Sequence, residues 1–137
     1  MQRVHTDPTK WAAALMEAPA RWELLAVRAV NAVTFEVYGH VVSDPLHPVD
    51  TGRSRSAWAI SVYAQGTDVP PEGGSGYEPK PVAAFQSELA NAPFEAARFV
   101  YNNVNYTIWL EIGARGRPGV HMLRRAVQSV AITNAVG

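Results

Sequence analysis

Apolar residues recur along the first third of the chain at intervals of three and four: Trp11, Leu15, Ala18, Trp22, Leu25, Ala29 and Val33. That spacing draws one stripe along a helix. The helix is expected to open at Thr6-Asp7-Pro8, with Asp7 as N-cap and Pro8 at the first helical position. Pro19 falls inside it. Proline removes a backbone donor and clashes one turn back, so a kink or a fresh helix start is expected there. The helical pattern fades around Tyr38-Gly39.

Asp44-Pro45 and His47-Pro48 then mark a loop, because residues before proline avoid the helical region. From Ala57 to Ala64 the period drops to two, with Trp58, Ile60 and Val62 on one face and Ala59, Ser61 and Tyr63 on the other, which predicts a strand. The prolines and glycines of GTDVPPEGGSGYEPKP, Gly66 to Pro81, predict an extended, flexible excursion rather than a domain boundary. Pro81 to Asn91 reads as a short helix through Val82, Phe85, Gln86 and Leu89. Glu95 to Tyr101 reads as a second strand, with a turn at Asn102-Asn103. Tyr106 to Ile112 predicts one or two helical turns stopped by Gly113. Val120 to Ala131 predicts a last helix, with Leu123, Ala126, Val127 and Val130 facing inward. The expected fold class is α+β: a single domain over 1–137, with a long N-terminal helix and a small, mostly antiparallel sheet carrying a short and a C-terminal helix.

Composition narrows the chemistry. The 137 residues contain no cysteine, which excludes disulfides, thiol nucleophiles and cysteine-based metal sites. Twelve basic and twelve acidic residues balance, whereas a free-standing DNA binder draws its affinity from a basic excess. Only Lys10 and Lys80 are lysines; the other basic residues are arginine, favoured at interfaces and by GC-rich coding alike. No apolar run approaches the roughly 20 residues of a membrane span. MQRVHTDPTKW lacks the apolar core of a signal peptide, so a cytoplasmic product is expected.

Two stretches stand out as candidate sites. In PVDTGRSRSAW, Asp50 is placed to cap a turn from which Arg53 and Arg55 project. A helix cap with solvated arginines accounts for it best, and a basic finger for phosphate or a partner's carboxylates is the alternative. In NNVNYTIWLEIGARGRPGVHMLRRAV, Glu111 lies between Leu110 and Ile112, where a carboxylate needs a partner; Arg53, Arg115 and Arg124 are the arginines available to it. His5, His40, His47 and His121 lack zinc spacing, Ser54 and Ser56 lack a nucleophile-elbow context, and no phosphate-binding glycine motif occurs. No catalytic residue, cofactor site or metal site is therefore assigned, and an enzyme is not expected.

Taken together, the two stretches resemble the neck and tail-component proteins of long-tailed bacteriophages. The resemblance is carried by Pro48, Asp50, Thr51, Gly52, Arg53, Arg55 and Trp58, then by Asn102, Asn103, Tyr106, Leu110, Glu111, Gly113 and Met122. Their order and separation agree with that family from about Trp22 onward. Thr107 stands where the family commonly has alanine and Asn105 where it often has proline, and ARGRPGVH replaces its usual polar loop. The resemblance implies a structural virion protein, a tail terminator or tail completion protein assembled in the host cytoplasm. Its subunits would form a ring, commonly a hexamer, at the head-proximal end of the tail tube and join it to the head connector. Implied partners are copies of itself, the tail tube protein and the head-closure or connector protein, with genomic DNA passing through the lumen without sequence-specific binding. A gene transfer agent would use the same part. In that setting Asp50, Arg53, Arg55, Trp58, Tyr106 and Glu111 are expected to organise the fold or the subunit contact, and Arg115 and Arg117 to lie on a loop facing the lumen or the next ring. The alternatives are a head-closure ring of the same neck or a small arginine-dependent DNA-binding module.

Overall fold

The computed structural model describes residues 8–47, 52–74, 76–114 and 116–136. His5, Thr6, Asp7, Pro48, Asp50, Thr51 and Arg115, singled out above, lie outside the described residues. The chain is a mixed α+β fold built around one bent N-terminal helix, α1 (Pro8–Ser43). Pro19 sits inside this helix without ending it. The helix also outlasts the fading of its sequence pattern at Tyr38-Gly39: Tyr38 and Val41 are among the most deeply buried side chains, and their packing holds the last turns helical. It stops before Asp44-Pro45, where the residue preceding proline leaves the helical region.

One helical turn, α2 (Arg53–Ser56), leads into β1 (Ala59–Val62). Among the described residues the excursion from Gly66 to Pro81 carries no helix or strand, and α3 (Ala83–Asn91) follows. β2 (Arg98–Tyr101) then pairs antiparallel with β1, placing Ala59 opposite Tyr101 and Val62 opposite Arg98. α4 (Thr107–Ile112) is followed by a two-residue hairpin, β3 (Gly113–Ala114) and β4 (Arg117–Pro118), and by α5 (Met122–Val136). The core gathers Tyr38 and Val41 of α1, Trp58, Ile60 and Val62 from β1 and its approach, Phe85 and Leu89 of α3, and Met122 and Ala126 of α5. Tyr38 meets Phe85 edge to face at 5.2 Å, a geometry favoured by the ring quadrupoles.

Two expectations about inward faces are corrected. Val127 of α5 is half exposed, and among the described side chains the buried ones there are Met122, Ala126 and Val130, a strict four-residue stripe. On α1, the stripe that defined the helix in the sequence is not the one that packs. Trp11 is 61 % exposed, Trp22 72 %, Leu25 49 % and Val33 39 %. The buried positions are Val27, Thr34, Tyr38 and Val41. At about 100° per residue these lie on the opposite side of the helix from Trp22 and Val33. The domain therefore takes the second face of α1, where Thr34 returns its hydroxyl to the Val30 carbonyl and so needs no outside partner.

Candidate functional site

The two motif stretches meet. The Ser54 hydroxyl lies 2.9 Å from that of Thr107 inside the protein. Asn102 donates from Nδ2 to the Ser54 carbonyl at 2.7 Å, while its Oδ1 accepts from the Val104 amide at 3.0 Å and the Thr107 hydroxyl at 3.1 Å. α2, the turn after β2 and the start of α4 are thereby locked to one another by polar groups that would otherwise be buried without partners. Thr107 acts here through its hydroxyl, which an alanine would lack.

Neither Arg53 nor Arg55 is solvated or free as a finger. Arg53 donates from Nε and Nη2 to the Pro70 carbonyl at 3.1 and 2.9 Å and approaches Glu72 at 4.0 Å. Arg55 donates from Nε to the Val42 carbonyl at 2.6 Å, satisfying an acceptor in the last turn of α1. Both guanidiniums are thus spent on main-chain oxygens of the same chain. Gly52 makes this possible: its φ of +84° suits glycine, and a Cβ there would come within 2.7 Å of the Tyr77 carbonyl oxygen. Trp58 is buried, and its indole N–H donates to Nε2 of His47 at 3.1 Å. Since indole only donates, His47 must present that nitrogen without a proton.

Glu111 has a partner, but not the arginine expected. Its two carboxylate oxygens accept from the backbone amides of Leu123 and Arg124, each at 3.1 Å. These are among the first, unpaired N–H groups of α5, and the carboxylate also faces the positive end of that helix. Glu111 therefore caps α5 from α4, doing from a distance what an Asp does as N-cap. The main chain supports the same junction: Val120 donates to the Leu110 carbonyl at 2.7 Å and His121 to that of Glu111 at 3.1 Å. Backbone runs so close there that a Cβ on Gly119 would strike the Glu111 carbonyl oxygen. Gly113 and Gly119 of GARGRPG thus permit close backbone approach, whereas Gly116, with a φ of +77°, has open space around it. Arg117 is exposed on β4, and Tyr106, just ahead of α4, is 39 % exposed.

The 66–81 excursion, expected to be extended and flexible, is tied down at several points besides Pro70. The Tyr101 hydroxyl donates to Asp68 Oδ1 at 2.6 Å, Asn103 Nδ2 donates to the Gly66 carbonyl at 2.7 Å, and the Tyr38 hydroxyl donates to the Lys80 carbonyl at 2.5 Å. The Tyr101 bond holds the Asp68 carboxyl below its ordinary range, and burial followed by the same bond pushes the Tyr101 phenol up. Burial also raises the Tyr38 phenol.

Sequence reasoning passed over one further anchor. Arg98 donates to the carbonyls of Pro93 and Ala96, both at 2.7 Å, of Ala92 at 3.1 Å, and to Asn31 Oδ1 at 3.0 Å; Asn31 in turn donates to the Leu89 carbonyl at 3.0 Å. A lone arginine in an alternating strand gives no hint that five acceptors, the Phe94 carbonyl at 3.4 Å among them, converge on it. Arg125, likewise unassigned, pairs with Asp44 at 2.7 Å beside a cleft of ≈ 380 Å³ between the end of α1 and α5. A second cleft, ≈ 280 Å³, lies where the excursion crosses Trp58. Among the described residues no cluster of three or more His, Asp or Glu is placed to hold a metal ion, and no helix is long and apolar enough to cross a membrane. Compared with known proteins, the chain matches no family model, no curated protein and no solved structure.

Proposed function

We propose that this chain is a structural subunit of the neck of a long-tailed phage or phage-like particle. It would form a ring at the head-proximal end of the tail tube, terminating the tail and joining it to the head connector. One observation carries the reading: polar groups of the motif stretches are turned inward to fasten backbone to backbone, while large apolar side chains of α1 and α4 face outward. That is the division of labour of a subunit whose outer faces are completed by neighbours. The arginines support it over a DNA-binding module. Arg53, Arg55 and Arg98 direct donors to main-chain carbonyls and Arg125 is paired with Asp44, which leaves these side chains fewer donors for phosphate. Arg117 and Arg124 remain exposed and suit a lumen or docking surface.

The test is the mass in solution by light scattering behind size exclusion over a wide concentration range, with negative-stain imaging and addition of purified tail tubes. A discrete closed multimer, alone or on tail tubes, is expected. A chain that stays monomeric in both settings and binds DNA with a steep salt dependence would move the assignment to the DNA-binding alternative.

A further inference from the structure

We infer that residues 69–79 of the excursion form a strap that lifts by itself, pinned at Asp68 and Lys80 and latched by Arg53, while the rest of the domain stays folded. The inference stands apart from the neck reading and uses only how this segment is held. Among its described residues no side chain is buried, and none lies in a helix or strand. Apolar burial, the main stabilising term elsewhere in the fold, therefore does little to keep it down. Hydrogen bonds do that instead, and they are unevenly placed. At one end Asn103 Nδ2 donates to the carbonyls of Gly66 at 2.7 Å and Asp68 at 3.2 Å, and Tyr101 donates to the Asp68 carboxylate. At the other end Tyr38 donates to the Lys80 carbonyl, and Lys80 itself reaches Asp68 at 3.8 Å. Tyr38 and Tyr101 belong to the core, so both ends are firmly pinned.

Between the pins, among the described residues, Arg53 is what the domain offers the strap. Its side chain is only 12 % exposed and sets two donors on the Pro70 carbonyl. Past Pro70 the strap closes on itself: the Tyr77 hydroxyl donates to the Pro71 carbonyl and accepts from the Gly74 amide at 2.9 Å. Glu72 only approaches Arg53, at 4.0 Å, and is well exposed. Gly52 lets the strap come down onto the start of α2, since a Cβ there would meet the Tyr77 carbonyl oxygen. Beneath the strap lies space rather than packing. The ≈ 280 Å³ cleft has Ser56 to Ala59 on the domain side and Val69, Pro70, Tyr77 and Glu78 on the strap side. A segment spanning a hollow gives up few close contacts when it lifts, whereas one seated on a packed core gives up many. Lifting turns the hollow into an open groove floored by Ala57, Trp58 and Ala59, all buried while the strap is down. Arg53, which in the sequence reads as a solvated arginine or a basic finger, is thereby the catch of a movable segment.

The chain has no cysteine, so a single introduced thiol is a clean reporter. Ala57→Cys places it in the hollow and Ala126→Cys in the core on α5, each treated with a small maleimide under native conditions. Ala57→Cys is expected to react at least about tenfold faster than Ala126→Cys, since lifting the strap costs less than unfolding the domain. Adding Arg53→Gln is expected to speed Ala57→Cys by about 10- to 100-fold, the worth of hydrogen bonds from a charged donor, and to leave Ala126→Cys unchanged. Arg53→Lys, which keeps the charge without the planar pair of donors, takes its place should Arg53→Gln lose its circular dichroism or its cooperative unfolding. The inference is overturned if the two thiols react at one rate, if neither Arg53 variant speeds Ala57→Cys, or if both thiols speed up together. In each of those cases the segment moves only with the whole domain, or Arg53 is not its latch.

Discussion

The corner around Glu111 and the first half of α1 are opposites in how they satisfy their side chains. At the corner, Ser54, Thr107, Asn102 and Glu111 each meet hydrogen-bonding partners within the chain, and among the described residues no buried side-chain polar atom lacks one. Along the first half of α1, two tryptophans, a methionine and two leucines lie mostly in solvent. The corner is finished by one chain and the helix is not. Residues that look like chemistry, arginines and a glutamate in turns, are the scaffold; residues that look like core lie at the surface. Polar groups are local in their demands, since a donor 3 Å away satisfies them. Apolar area is satisfied by any surface that excludes water, including that of another molecule.

The contrast breaks first where one side chain holds most backbone. Arg98→Leu should cost about 3 kcal/mol or more in chemical denaturation, because it strands the carbonyls around the end of α3 and leaves Asn31 half paired. A loss below about 1 kcal/mol would mean those carbonyls find water at no penalty. Glu111→Ala is the next step down. Loss of a helix cap predicts about 1–2 kcal/mol, with amide exchange at Leu123 and Arg124 accelerating more than in the middle of α5.

A smaller effect follows the bond that ties the excursion to β2. The Asp68 carboxyl is lowered by Tyr101, so its contribution is present above the ordinary carboxylate range and fades as pH falls through the lowered value. The Tyr101 phenol is raised by burial and by Asp68, so its contribution is present below about pH 10 and fades as pH rises through the raised value. Asp68 is well exposed, which keeps both effects modest. Tyr101→Phe should flatten the acid limb of the stability profile, and an unchanged limb would assign the acid sensitivity elsewhere. The smallest effect sharpens the comparison most. Trp11→Ser with Trp22→Ser should leave the unfolding free energy of the monomer within about 0.5 kcal/mol of wild type, measured at concentrations too low for association. A loss of several kcal/mol would show that the stripe packs within its own chain after all.

Sequence and structure part company at identifiable residues. The helix of α1, the alternation of β1, the short α3 and the glycine stop after α4 were legible because backbone periodicity writes itself into the order of apolar residues. The partner of Glu111 was not: the carboxylate's need was visible, but its donors are main-chain amides, which carry no letter in the sequence. Arg53 and Arg55 were visible as a pair, and their targets, the carbonyls of Pro70 and Val42, were hidden for the same reason. Arg98 gave no signal at all.

By itself the sequence determined the longer elements, their order, the α+β class and the absence of thiol chemistry, since these depend on local propensity, periodicity and composition; the short α2 turn and the β3–β4 hairpin were not read from it. Only the tertiary structure decided which of the two apolar sides of α1 meets the domain. Both sides have helical spacing; the choice rests on the shape of what packs against them, with Tyr38 and Val41 fitting against Phe85, Leu89 and Met122 and the tryptophan stripe left outside.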